Sequence, residues 1–244
     1  MSIPIARVLN RLDEYLARKD YAAAERHLDY WMAEAEMTSD KRGMLSMANE
    51  QIGLYRKMNI KERSLKACDT AITLADEMRL DESITMGTTL INAATAYKAF
   101  GDAERALPLY EKAKEIYEAR LESNDRRLGG LYNNMALALK DTEQFERAKD
   151  MFLMALSVIE KIGGGELEMA TTYCNMADLC ACEGKGGVAE CLEKAFGLIS
   201  TPTLSRDGYY AFVCEKCAPT FGYYGLGEYE KELSMRARDI YEGS

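Results

Sequence analysis

The sequence predicts an all-α fold, a solenoid of about six antiparallel helix pairs, on three observations. Self-similar segments recur at a fixed period, since Ala94, Ala136 and Ala177 lie 42 and 41 residues apart, and Ala71, Ala113, Ala155 and Ala195 lie 42, 42 and 40 apart. Within each segment apolar residues recur at three and four, the period of a helix with one buried face, and none alternates with the period of a strand. Short polar joints separate the segments and carry helix stop and start chemistry: Thr38-Ser39-Asp40, Asp81, Gly101-Asp102, Asn124-Asp125, Asp141-Thr142 and Gly163-Gly164-Gly165.

Three central segments carry the pattern most clearly: 89–117, 131–160 and 172–199. Each reads as a helix rich in small residues, a polar turn and a second helix. In the second helix of the first of these, Leu107, Tyr110, Ala113, Tyr117 and Leu121 form the buried stripe, while Glu111, Lys112, Glu115 and Glu118 turn to water. Weaker copies extend the pattern to both ends. The pairs are placed at about 3–37, 38–80, 81–122, 124–163, 165–200 and 203–243, one helical-repeat domain over residues 1–244. The outer copies are the less regular ones, as end repeats with one face toward solvent should be.

The order Leu90, Ala93, Ala94, Tyr97, then Ala106, Tyr110 and Ala113 resembles the tetratricopeptide repeat. The period of about 42 exceeds the usual ~34, enough for roughly one more turn in each helix. With the run Ala106 to Ala113, which includes Pro108, it is similar to the long-helix variety found in kinesin light chains and in bacterial peptide-sensing regulators. The resemblance implies a right-handed superhelix whose first helices line a concave groove that takes a peptide or partner protein.

Composition limits the alternatives. The chain has 31 basic and 40 acidic residues, a formal net charge of −9, and no concentrated basic patch, which disfavours nucleic acid as a partner. No apolar run approaches the length of a membrane span, and the opening MSIPIARVLNRLDEYL lacks the apolar core of a signal peptide, so a cytoplasmic protein without membrane contact is expected. Seven cysteines without a secretory signal read as reduced thiols. Cys180, Cys182, Cys214 and Cys217 are enough in number for a zinc site, but Cys180 falls at a repeat position expected to be buried and the later pair shares a helix face, so packing is the expected role and no metal or other cofactor is expected. The single histidine, His27, has no nucleophile in a recognisable signature beside it, and Gly184-Lys185-Gly186-Gly187 follows a helix rather than a strand and reads as an inter-helix turn. No enzymatic site is expected.

The feature that points to a mechanism is a ladder of asparagines. Asn92, Asn134 and Asn175 each lie two residues before the small Ala of a first helix and repeat at 42 and 41. Asn is a mediocre helix former because its amide competes for backbone groups, so three such placements call for a reason. One reason is a hydrogen bond to a neighbouring helix. The resemblance implies another, in which this position faces the groove and bonds the main chain of a bound peptide. Lys98 and Lys140, again 42 apart, with Asn133, Leu137 and Asp178, fall on the same stripe, and Lys98, Lys140, Leu137 and Asp178 are the expected selectors of side chains. Thr88 and Asn92 stand where carboxylate-clamp members of the family place basic residues, which disfavours a chaperone tail.

The last segment is rich in rings. Tyr209, Tyr210, Phe212, Phe221, Tyr223, Tyr224 and Tyr229 place seven of 22 aromatics in one helix pair, open to two readings: core of the end repeat, or a surface for a partner or a homodimer. The functional expectation is a protein- or peptide-binding scaffold. The rivals are a sensor of a signalling peptide without its own DNA-binding domain, since residues 1–40 already read as a repeat pair, and a self-assembling structural subunit.

Overall fold

The computed structural model describes residues 2–243. Twelve helices and no strand are present among the described residues, and about 80% of the chain is helical, the all-α helix-pair fold expected. The chain divides into two compact units, residues 1–121 and 122–244.

The first unit contains α1 (Ile5–Ala17), α2 (Tyr21–Met37), α3 (Lys41–Lys57), α4 (Lys61–Glu77), α5 (Ile84–Ala99) and α6 (Ala103–Arg120). Their starts follow from capping. The carboxylates of Asp20, Asp40 and Asp102 and the hydroxyl of Ser83 accept from backbone N–H groups two residues into α2, α3, α6 and α5 respectively. The stops of α1 to α5 use a residue in the left-handed region, and Lys19, Ser39, Asn59, Arg79 and Gly101 occupy it with φ of 55°, 52°, 57°, 54° and 83°. Close approach of the helices is set by fully buried alanines, among them Ala71, Ala93, Ala94, Ala106 and Ala113. Gly87 serves the same end, because a Cβ there would meet the Tyr117 ring at 2.6 Å.

Successive pairs of this unit are registered by a repeated polar lock. Arg63 of α4 lies over the Tyr55 ring of α3 at 4.2 Å and bonds Asp29 of α2 at 3.1 Å. Arg105 of α6 lies over Tyr97 of α5 at 4.2 Å and donates to its hydroxyl at 2.9 Å, and that hydroxyl approaches Asp69 of α4. Buried Tyr110 finds Thr95 at 3.0 Å for its hydroxyl.

The second unit contains α7 (Arg126–Asp141), α8 (Phe145–Ile162), α9 (Glu166–Glu183), α10 (Val188–Ile199), α11 (Gly208–Tyr223) and α12 (Gly227–Glu242). Gly184 ends α9 in the left-handed conformation and the glycine-rich segment after it turns the chain into α10, as the sequence predicts for an inter-helix joint. Phe152, Tyr210 and Phe221 are buried in the core, and Arg236 of α12 donates to the Tyr210 hydroxyl at 3.0 Å and to Ser200 at 3.2 Å. Cys174, Cys191, Cys214 and Cys217 are buried. Cys180, expected to be buried, is only half-buried, because it lies in the last turn of α9, beside Gly187 at the end of the glycine joint.

The aromatic-rich last pair splits in two. Tyr210 and Phe221 belong to the core, whereas Tyr209, Phe212 and Tyr223 are 47%, 50% and 82% exposed. No helix among the described residues is long and apolar enough to cross a membrane.

Candidate functional site

The first helix of each pair contributes to an open hollow in each unit. In the first unit α1, α3 and α5 line one of about 540 Å³, with Leu9, Ser46, Asn49, Glu50, Thr85 and Asn92 among its walls and Arg42 at the same surface. In the second unit α7, α9 and α11 line one of about 230 Å³, with Asn133, Thr171, Tyr209, Phe212 and Lys216.

Asparagines meet in both. Asn92 Nδ2 donates to Asn49 Oδ1 at 2.8 Å, and Asn175 Nδ2 donates to Asn133 Oδ1 at 3.0 Å. The two bonds join helices at separations of 43 and 42 residues, so the same amide-to-amide link is built in each unit. Asn49 is fully engaged: its own Nδ2 donates to the Leu45 carbonyl and to the Thr89 hydroxyl, both at 3.1 Å. Asn92 and Asn133, which line the hollows, and Asn175, which does not, are half-buried, and each uses only part of its amide, leaving donor or acceptor capacity. The two reasons for the ladder therefore coexist, since an amide that bonds its neighbour has a second N–H or oxygen left over.

The remaining sequence candidates are placed as follows. The Asn134 side chain is half-buried beside Asn133 on α7, is not part of the hollow's lining and makes no hydrogen bond to another described residue. Leu137 and Lys140 are half-buried further along α7, and Lys98 is half-buried near the end of α5; none of the three lines either hollow. Asp178 accepts from the Tyr224 hydroxyl at 3.0 Å, which ties α9 to the end of α11. Burial first, and then this carboxylate, pushes the Tyr224 hydroxyl up from its ordinary value.

Several lining residues escaped the sequence reading. Asn49 breaks the rule that found the others, because Gln51 rather than Ala follows it by two. The 43-residue offset from Asn92 was the available signal. Glu50 is half-buried on the next position, and burial first, with Asp13 second, pushes its carboxyl up while Lys57 pulls it down. In the second unit Tyr209 and Phe212, stacked at 6.5 Å, line the hollow rather than only an outer surface. Its rim holds the ion pair of Arg126 with Glu168 at 2.8 Å and the exposed Lys216.

This geometry is that of a helical-repeat protein whose first helices line open hollows, and residues 87–126 and 129–164 match the tetratricopeptide repeat family. Among solved structures the chain is similar to tetratricopeptide-like repeats assigned to a kinesin light chain of Podosopora anserina, at 16% identity over 81% of this chain and 94% of that one, TM-score 0.60. It is similar to a Rap protein complexed with competence and sporulation factor, at 12% identity over 100% of this chain and 66% of that one, TM-score 0.71. It is also similar to the quorum sensor NprR of B. thuringiensis in its apo form, at 16% identity over 98% of this chain and 65% of that one, TM-score 0.63. At these identities the likeness is one of fold. No curated protein sequence matches the chain.

Proposed function

We propose that the protein binds a peptide or a partner's peptide segment in the hollows lined by its first helices, and that the asparagines there hold the ligand's main chain. The observation that carries this reading is the pair of bonds Asn92 to Asn49 and Asn175 to Asn133, each of which fixes an amide at a hollow's wall and leaves part of it unspent. A peptide unit offers one N–H and one C=O, which an Asn amide can meet with its own acceptor and donor. Asn134, next to Asn133 on α7 and with a side chain that bonds no other described residue, is a third amide offered in the second unit. Lys98, Lys140 and Leu137, further along α5 and α7, are the residues that would choose side chains, while Asp178 is held by Tyr224, and the exposed rings of Tyr209 and Phe212 add apolar contact in the second unit.

The test is affinity selection from a randomised hexapeptide mixture, read by mass spectrometry, on the intact protein and on a variant with Asn92, Asn134 and Asn175 all replaced by alanine. Each lost bond is worth about 0.5–1.5 kcal/mol, so a peptide held in one hollow should be retained about two- to tenfold less for each bond it loses. The helical spectrum and melting should change little, since alanine is the better helix former. Equal retention by both proteins, or a variant that unfolds, would make the asparagines purely structural.

A second reading, a sensor that receives a free signalling peptide, draws support from the fold likeness to the Rap protein held with competence and sporulation factor and to the quorum sensor NprR. It differs from a scaffold in requiring that the ligand change the protein's state. Comparison of hydrogen exchange with and without a selected peptide separates the two, because a sensor shows altered protection well away from the hollow.

A further inference from the structure

We infer that the first unit's hollow contains a subsite for a positively charged group, either a lysine or arginine side chain or the ammonium that begins a peptide, and that Glu50 receives it. The inference rests on the reading of the hollow as a peptide site and specifies what that peptide carries.

Adjacent helical positions point roughly 100° apart, so the two neighbours on α3 serve different directions. Asn49 faces α5, where it meets Asn92 and Thr89. Glu50 lines the hollow together with Leu9 of α1, and Asp13 of that helix acts on its charge. Its carboxylate makes no hydrogen bond or ion pair with any described residue, although it is half-buried in the wall of the hollow. A carboxylate that has given up part of its water without a partner is a cost to the fold, and a cation brought to it recovers that cost. The upward displacement of its pKa by burial has the same origin.

The surroundings favour a cation over an anion at this point. From α1 the charge that acts on it is acidic Asp13; on α3 Lys57 lies two turns toward the C-terminus. Arg42 lies eight residues toward the N-terminus of α3, about 12 Å along the helix, and lines the same hollow. From α5 the hollow receives the neutral groups Thr85, Thr88 and Asn92, and the segment after α4 adds apolar Met78 and Leu80. A main chain held at Asn92 therefore runs past Asn49 to an unpaired carboxylate, where a side chain one or two residues along, or the chain's own first nitrogen, is in reach at ~3.3 Å per residue.

Affinity selection on the intact chain tests this with three hexapeptide mixtures: free amine with all residues, N-acetylated with all residues, and free amine without lysine or arginine. Peptides retained by the unaltered protein should be enriched at least tenfold in a cationic group at one position. Loss of enrichment on acetylation identifies the ammonium, and loss in the mixture without lysine and arginine identifies the side chain. Glu50→Gln should abolish the enrichment while melting at the same temperature or higher, and Glu50→Lys should turn selection toward acidic residues, an outcome that a misfolded protein cannot produce. Retention without cationic preference, or a preference that survives both substitutions, overturns the Glu50 subsite and leaves the peptide reading standing. Retention of nothing from any mixture overturns both.

Discussion

The asparagine link of the first unit allows its energetic share to be measured apart from any ligand. In a double-mutant cycle on Asn49 and Asn92, the two single substitutions should be strongly unequal. Asn92→Ala removes one hydrogen bond, to Asn49 Oδ1. That acceptor is half-buried and can be taken over by water, so about 0.5–1.5 kcal/mol is lost and up to ~0.7 kcal/mol is regained in helix propensity. The net cost is below about 1 kcal/mol. Asn49→Ala removes three bonds at once, to the Leu45 carbonyl, to Thr89 and from Asn92, and the Thr89 hydroxyl is 0% exposed. Leaving that buried group without its donor adds a desolvation cost, and the total should be about 2–3 kcal/mol. The coupling between the two sites should be about 0.5–1.5 kcal/mol, the size of their shared bond. Chemical denaturation followed by helical ellipticity, fitted per transition because a repeat chain need not unfold in one step, gives the values. Equal costs for the two substitutions, or a coupling of zero, would refute the assignment of Asn49 as the anchored member and Asn92 as the one with capacity to spare.

Two further outcomes follow from local geometry. Gly87→Ala places a Cβ at 2.6 Å from the Tyr117 ring and should destabilise by about 1–3 kcal/mol, whereas Gly53→Ala, with nothing within 4 Å of the added carbon, should stabilise by about 0.5–1 kcal/mol; opposite shifts in denaturation midpoint check the pair. Asp125 caps α7, and the hydrogen bonds from Arg127 hold its carboxyl down at about 2. Because the folded value lies below the unfolded one, this contribution is complete above the ordinary carboxylate range and is lost as pH falls toward 2. Asp125→Asn should flatten that part of the stability profile, and an unchanged acid limb in a pH-stability series would count against it.

How much of the site was legible varies residue by residue. Asn92, Asn134 and Asn175 were readable because they keep step with the alanines that pack the helices, and Asn133 because it adjoins one of them. Asn49 was not, since its repeat keeps the 43-residue offset to Asn92 but not the alanine two places on. Glu50 gave no periodic signal at all; an unpaired carboxylate is recognised only when the groups that could have paired with it are seen to be elsewhere. Asp178 shows the converse. Its position suits a groove residue, but it is spent on Tyr224, a partner 46 residues away.

The sequence by itself determined the class of the fold and the period of its repeats, because apolar spacing, capping aspartates and small packing residues act over one turn or one helix pair and leave their imprint within about 40 residues. It also determined which rings crowd the last pair, but not their division, and packing alone decided that Tyr210 and Phe221 enter the core while Tyr209 and Phe212 line a hollow. The tertiary structure decided which amides bond each other and which keep a donor or acceptor to offer. That outcome depends on distances between side chains of different helices, and a one-dimensional pattern does not contain them.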